Sequence, residues 1–103
     1  MNYKTTDEFD KDFKKLFSRF STLEQDFEIL KKYHIEPFHK NGITGPISLS
    51  GLGDKPVYKI KKIACKSLKS KGSNSGLRVI YTYDESVQQV TFTEIYFKGD
   101  QRK

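Results

Sequence analysis

The stretch TTDEFDKDFKKLFSRF sets Phe9, Phe13, Leu16, Phe17 and Phe20 at i, i+4, i+7, i+8 and i+11, the apolar stripe of an amphipathic helix. Thr5 and Glu8 stand at capping-box spacing. Asp7, Glu8 and Asp10 fall where the positive end of the helix dipole favours acids. Ser21 and Glu24 repeat the capping spacing and open a second helix, whose Leu23, Phe27 and Leu30 again lie at i, i+4 and i+7. The pattern predicts a helical hairpin over residues 1–33, with Asn2 to Thr5 offering a short strand ahead of it. The phenylalanine stripe has the period of packed core rather than of a ligand pocket.

From His34 to Gly53, two prolines and four glycines break any period, which predicts an irregular connector over 34–53 with a short extended piece at Ile47 to Leu49. His34 and His39, five apart across Pro37, suit neither one helical face nor a strand. They read as surface or packing histidines, since a metal site would need further ligands. The period then changes. VYKIKKIA alternates, with Val57, Lys59, Lys61 and Ile63 on one face and Tyr58, Ile60 and Lys62 on the other. LRVIYTY sets Leu77, Val79, Tyr81 and Tyr83 opposite Arg78, Ile80 and Thr82, and VQQVTFTEIYFK follows a turn at Asp84, Glu85 and Ser86. These are three sequential antiparallel strands over 54–98, with a basic loop at 65–75. The expected fold is one α+β domain over 1–103, a helical hairpin packed on one face of a small, mainly antiparallel β-sheet, with the other face left available.

Charge is distributed unevenly over this frame. Residues 1–50 hold eight basic and eight acidic side chains, whereas residues 51–103 hold eleven basic against five acidic and carry the whole net charge of +6. From Lys55 to Arg78 there are eight basic residues and no acid. Crowded charge of one sign repels itself and is relieved by a polyanion; the alternative is a solvated basic edge that deters strand-to-strand aggregation. The single cysteine, Cys65, has no disulfide partner and no ligand at metal spacing, so it reads as a packed thiol in a reducing compartment. No run approaches the roughly 18 apolar residues of a membrane span, and MNYKTTDEFD lacks the regions of a signal peptide, so a cytoplasmic chain without membrane contact is expected. There is no Walker loop, dinucleotide fingerprint, zinc spacing or Gly-x-Ser-x-Gly elbow. No metal or cofactor is expected, and phosphate-directed chemistry remains.

Lys59 and Lys61 project from one side of a strand, and Arg78 on the neighbouring strand reaches that side in a favourable register. Two readings stand beside each other. The cations hold backbone phosphates, or they cleave RNA without metal. In the second, crowding makes one ammonium easier to deprotonate, so that it serves as base or acid toward the ribose 2′-hydroxyl, while the arginine fork stabilises charge on the attacked phosphate. Glu94 and Tyr96 share a face with Lys98 on the last strand. Glu94 is a candidate base or a salt-bridge partner, and Tyr96 a base-stacking platform or ordinary sheet packing.

EFDKDFKKL, VYKIKK, GLRVIY and EIYFKGD, in that order and spacing, resemble the RelE/ParE superfamily of bacterial toxins on its RelE side, over nearly the whole chain. The resemblance implies a toxin of a type II toxin–antitoxin pair, with a cognate antitoxin as partner. It also implies an endoribonuclease that enters the ribosomal A site and cuts mRNA, in contact with rRNA. The family's Lys-x-Lys falls on Lys59 and Lys61, implying proton transfer and phosphate contact, and its Gly-x-Arg falls on Arg78, implying stabilisation of transition-state charge. Lys62, Lys66, Lys69, Lys71, Lys98 and Arg102 are implied RNA contacts. The sequence departs from the family at KGDQRK, where a further basic residue and a tyrosine are usual after the last strand. Lys98 and Arg102 stand in for the basic residue, and no tyrosine follows Tyr96, which implies either a missing segment or an incomplete site. Two other readings remain: a ParE-like inhibitor of DNA gyrase, and a basic RNA-binding module without turnover.

Overall fold

A computed structural model describes residues 1–42, 47–50, 56–61, 63 and 76–98. Along the chain come β1 (Asn2–Thr5), α1 (Asp7–Arg19), α2 (Leu23–Leu30), a π-helical turn (Lys31–Ile35), α3 (Glu36–Asn41), β2 (Ile47–Ser50), β3 (Val57–Ile60), β4 (Leu77–Asp84) and β5 (Gln89–Phe97). The strands make one five-stranded sheet in the order β1-β5-β4-β3-β2. β1 runs parallel to β5 and the other pairs are antiparallel. The expected α+β architecture is therefore present, and the two short extended pieces foreseen at its margins are the edge strands. Cys65 and the basic loop at 65–75 lie outside the described residues.

The core lies between the helices and one face of β4 and β5. Leu77, Val79, Tyr81 and Tyr83 alternate inward along β4, and all are buried. Phe9 of α1 meets Phe92 of β5 at 5.5 Å and Phe27 of α2 at 5.6 Å, while Phe20 packs on Phe97 at 5.5 Å. Each such side chain contributes roughly 1.5–3 kcal/mol on full burial, so Phe9, Leu16 and Phe20 are the part of the stripe that anchors α1 to the core. Phe17 closes the stripe at its outer edge and stays 41% exposed.

The helix starts differ from expectation by one residue. Thr5 is the last residue of β1, paired with Phe92, so the cap falls to Thr6, whose Oγ1 accepts from the Phe9 N–H at 3.1 Å. The second helix is capped at Thr22 rather than Ser21, and the Thr22 hydroxyl donates to the buried Asp26 carboxylate at 2.8 Å instead of accepting from the backbone.

The connector expected from His34 is helical as far as Asn41. Pro37 stands in the first turn of α3, where a missing N–H is tolerated, and the π-turn just ahead of it inserts one residue. That extra residue lets Leu30 and Ile35, five apart, both turn into the core. Glu36 is held in place by the Tyr3 hydroxyl, which donates to its Oε2 at 2.7 Å. Gly42 then ends the helix with a left-handed φ of 69°, which glycine adopts without penalty. The alternation expected through Ile63 also stops early: β3 ends at Ile60, and both isoleucines are buried.

α3 places His39 over the far end of the core. Its ring stacks on Tyr83 with centroids 3.8 Å apart, and Nε2 lies 2.9 Å from the Tyr81 hydroxyl. Burial pushes Tyr81 well above the usual phenol range and lowers His39 below the ordinary imidazole value.

Two outcomes follow from these contacts. Thr6→Ala should cost about 1 kcal/mol in urea unfolding, whereas Thr5→Ala, on an exposed edge-strand position, should stay within about 0.5 kcal/mol. Because folded His39 resists the proton that the unfolded chain accepts near pH 6.5, stability should fall as pH drops below about 6.5 and level off beneath the folded-state value. His39→Gln should remove that component when unfolding free energy is compared across the same pH range.

Candidate functional site

The face of the sheet opposite the helices gathers the candidate residues, and strand register decides which ones meet. Lys59 on β3 pairs with Ile80 on β4, and Ile80 pairs with Glu94 on β5. One step along, Arg78 pairs with Tyr96. Lys59, Arg78, Glu94 and Tyr96 therefore occupy neighbouring positions on three adjacent strands, about 4.8 Å apart from strand to strand.

A bulge makes this grouping. Tyr81 pairs with Phe92 and Ile80 with Glu94, so Thr93 has no opposite residue. Val90 and Phe92 point into the core before it and Ile95 after it, which turns Glu94 and Tyr96 to the face left uncovered by the described helices. The extra residue is fastened on both sides. Its hydroxyl donates to the Ile80 carbonyl at 3.2 Å, and its carbonyl accepts from the Thr6 hydroxyl at 3.4 Å.

Arg78 is half-buried and held by backbone. Nη1 donates to the carbonyls of Lys61 and Leu77, each at 3.0 Å, so the guanidinium closes the end of β3 against β4. Nε and Nη2 are the edge it can present to a ligand. The Lys59 ammonium lies over the Tyr96 ring, 5.9 Å from its centroid, near the outer limit of a cation–π contact. Lys61 is exposed just past β3. Lys98, also exposed, follows β5, and its N–H donates to the Gly76 carbonyl at 2.8 Å. Lys62, Lys66, Lys69, Lys71 and Arg102 lie outside the described residues.

This arrangement can hold a phosphodiester. A planar donor fork and the Lys59 ammonium share one face with an aromatic ring and a carboxylate, and the exposed Lys61 follows at the end of β3. His39 takes no part, being on the opposite face against Tyr81 and Tyr83. Among the described residues no three of His, Cys, Asp and Glu are grouped as a metal site would need, and no helix is long and apolar enough to cross a membrane.

Sequence reasoning missed two features here, the backbone anchoring of Arg78 and the ring cluster around His39. The second had a signal: Ile35 and His39 are four apart, a helical spacing that continues through Pro37.

No family model matches the chain, and no curated protein matches it. A solved structure does. The crystal structure of the archaeal RelE–RelB complex from Pyrococcus horikoshii OT3 matches with a TM-score of 0.58 and 16% identity, over 97% of this chain and 97% of that one. The chain has a RelE-like fold.

The Arg78 contacts lead to one expectation for stability. Arg78→Ala removes two hydrogen bonds to carbonyls at the β3–β4 end and should cost about 1–2 kcal/mol in urea unfolding. Lys61→Ala, at an exposed side chain, should change stability by less than about 0.5 kcal/mol.

Proposed function

We propose that this chain is the toxin of a type II toxin–antitoxin pair and acts as a ribosome-dependent mRNA endoribonuclease without metal. The observation that supports the reading is the placing of Lys59 and Arg78 on one face of a RelE-like sheet, with Arg78 bonded to the Lys61 carbonyl where β3 ends. In the proposed reaction one lysine, acting as the neutral amine, takes the proton of the ribose 2′-hydroxyl and becomes an ammonium, and the 2′-oxygen attacks the adjacent phosphorus. The bond to the 5′-oxygen breaks, and that oxygen receives a proton from a second ammonium. The products are a 2′,3′-cyclic phosphate and a free 5′-hydroxyl. Arg78, its Nη1 fixed to two carbonyls, offers its remaining edge to the charge that accumulates on the phosphate.

The uncovered face is also where a silencing partner has most to gain. An antitoxin segment laid there would neutralise the cations and exclude RNA at once, and the name of the matched complex, RelE–RelB, supports a partner of this kind. The basic stretch from Lys55 to Arg78 then has two partners, rRNA and mRNA in the free protein and the antitoxin in the silent complex.

The test is mapping of mRNA ends on programmed ribosomes. Cleavage within the A-site codon, leaving a 2′,3′-cyclic phosphate, is expected. Folded Arg78→Ala and the double variant Lys59→Ala with Lys61→Ala should each lose about 10²–10³-fold in rate. Undiminished cleavage in these variants would remove the cations from the chemistry. Absence of cleavage with inhibition of DNA supercoiling would favour the gyrase reading. Salt-sensitive RNA binding without product would favour a binding module.

A further inference from the structure

At the other end of the sheet, on its helix-covered side, lies a half-open cleft of about 610 Å³. Tyr83 is five residues along β4 from Arg78, roughly 17 Å, and the cleft opens on the opposite face of the sheet from Lys59, which directly follows Tyr58 on β3. It is lined by Phe38, His39, Pro56, Tyr58, Tyr83, Asp84, Glu85 and Ser86. Four of these are aromatic and two are acidic, and no lysine or arginine is among the described residues that line it. In a chain whose net charge is +6, this is a local concentration of the opposite chemistry.

The rings form a fixed set. His39 stacks on Tyr83 at 3.8 Å and meets Tyr58 edge-on at 5.0 Å, and Phe38 meets Tyr58 edge-on at 5.5 Å. Tyr58 is only half-buried, leaving part of its surface to the cleft. Asp84 and Glu85 sit where β4 turns toward β5; Asp84 Oδ1 accepts from the Ser86 N–H at 3.1 Å and from its hydroxyl at 2.7 Å, which fixes the turn. Burial first, and then the charge of Glu85, raise the phenols of both Tyr58 and Tyr83, so that carboxylate lies within electrostatic reach of both rings.

We propose that this cleft receives the cationic head of a basic side chain, an arginine or lysine, presented by a partner polypeptide. Aromatic rings attract a cation through the quadrupole of their faces, and the Glu85 carboxylate at the rim supplies the charge match. An arginine gains most, because its planar guanidinium both stacks on a ring and forks onto a carboxylate. The cleft is half-open and wider than a cationic head alone, which leaves room for the backbone that carries it. The occupant is independent of RNA chemistry on the other face.

The test is titration of the isotope-labelled protein with a blocked pentapeptide, Ala-Gly-Arg-Gly-Ala, followed by NMR. Saturable shifts at Tyr58, Tyr83 and Glu85 are expected. The same peptide with citrulline in place of arginine, isosteric but uncharged, should bind at least tenfold more weakly. Glu85→Gln, at an exposed turn position, should weaken the arginine peptide by about tenfold. Tyr58→Leu should do the same if its amide spectrum remains folded, and Lys11→Ala, at an exposed position of α1, should have no effect. Absence of saturable shifts, equal binding of the citrulline peptide, or unchanged binding to Glu85→Gln would each overturn the proposal. Free arginine amide binding as tightly as the peptide would overturn the polypeptide source and assign the cleft to small organic cations.

Discussion

One unpaired residue, Thr93, decides what each face of β5 presents. A strand can serve two faces only through a period of two, and β5 must cover the core near both of its ends. Without the bulge, the parity set by Val90 and Phe92 would continue inward through Glu94 and Tyr96, burying a carboxylate and exposing Ile95. A buried unpaired carboxylate and an exposed isoleucine would both oppose folding. With the bulge, Phe92 and Ile95 both seal the core, while Glu94 and Tyr96 join Arg78 and Lys59 outside. The bulge is held by bonds to Ile80 on one side and to the helix-capping Thr6 on the other, so the start of α1 and the register of the sheet constrain each other.

The two faces then follow different physics. On the covered side, aromatic contacts from Phe9, Phe20 and Phe27 onto Phe92 and Phe97 tie the hairpin to β5. The Tyr3–Glu36 bond and the π-turn carry the helical run onward, so that His39 comes down on Tyr81 and Tyr83. On the other side, no helix of the described residues is laid. Lys59, Arg78, Glu94, Tyr96, Thr82 and Thr91 stand there around Ile80 and Val57, a mainly polar and charged composition.

Much of this was legible because it rests on period. The phenylalanine stripe, the alternation of β4 and the grouping of Lys59 with Arg78 follow from periods of 3.6 and 2. The misread parts are those where one residue breaks a period. The cap moved from Thr5 to Thr6 because parallel pairing with Phe92 claims Thr5, a tertiary contact no local pattern encodes. Pro37 read as a breaker, but the π-turn ahead of it and the burial of Ile35 keep the chain helical. The slip at Thr93 is visible afterwards as two apolar pairs, Val90 with Phe92 and Ile95 with Phe97, set out of phase by one residue.

Arg78 shows why placement matters more than charge count. A surface lysine keeps its rotamer freedom and its hydration, so each contact it makes with a phosphate must first overcome both. Arg78 has already given up one nitrogen to the carbonyls of Lys61 and Leu77, and that loss is met within the fold. Its remaining donors are held by two strand ends before any ligand arrives, the pre-organisation that the role proposed for it would require. A lysine at the same position would restore the charge without the fork, because one ammonium cannot bridge two carbonyls and still present a planar edge. The same rigid β4 that fixes Arg78 at its start carries Tyr83 and Asp84 at its end, so one strand organises a basic patch and an acidic, aromatic cleft on opposite faces. On the functions proposed above, one strand would keep an RNA-directed patch and a locus for a basic polypeptide apart by placing them on opposite faces. At an ionic strength where charges are screened beyond about 8 Å, Arg78 and the acidic turn at the two ends of β4 then feel little of each other's charge.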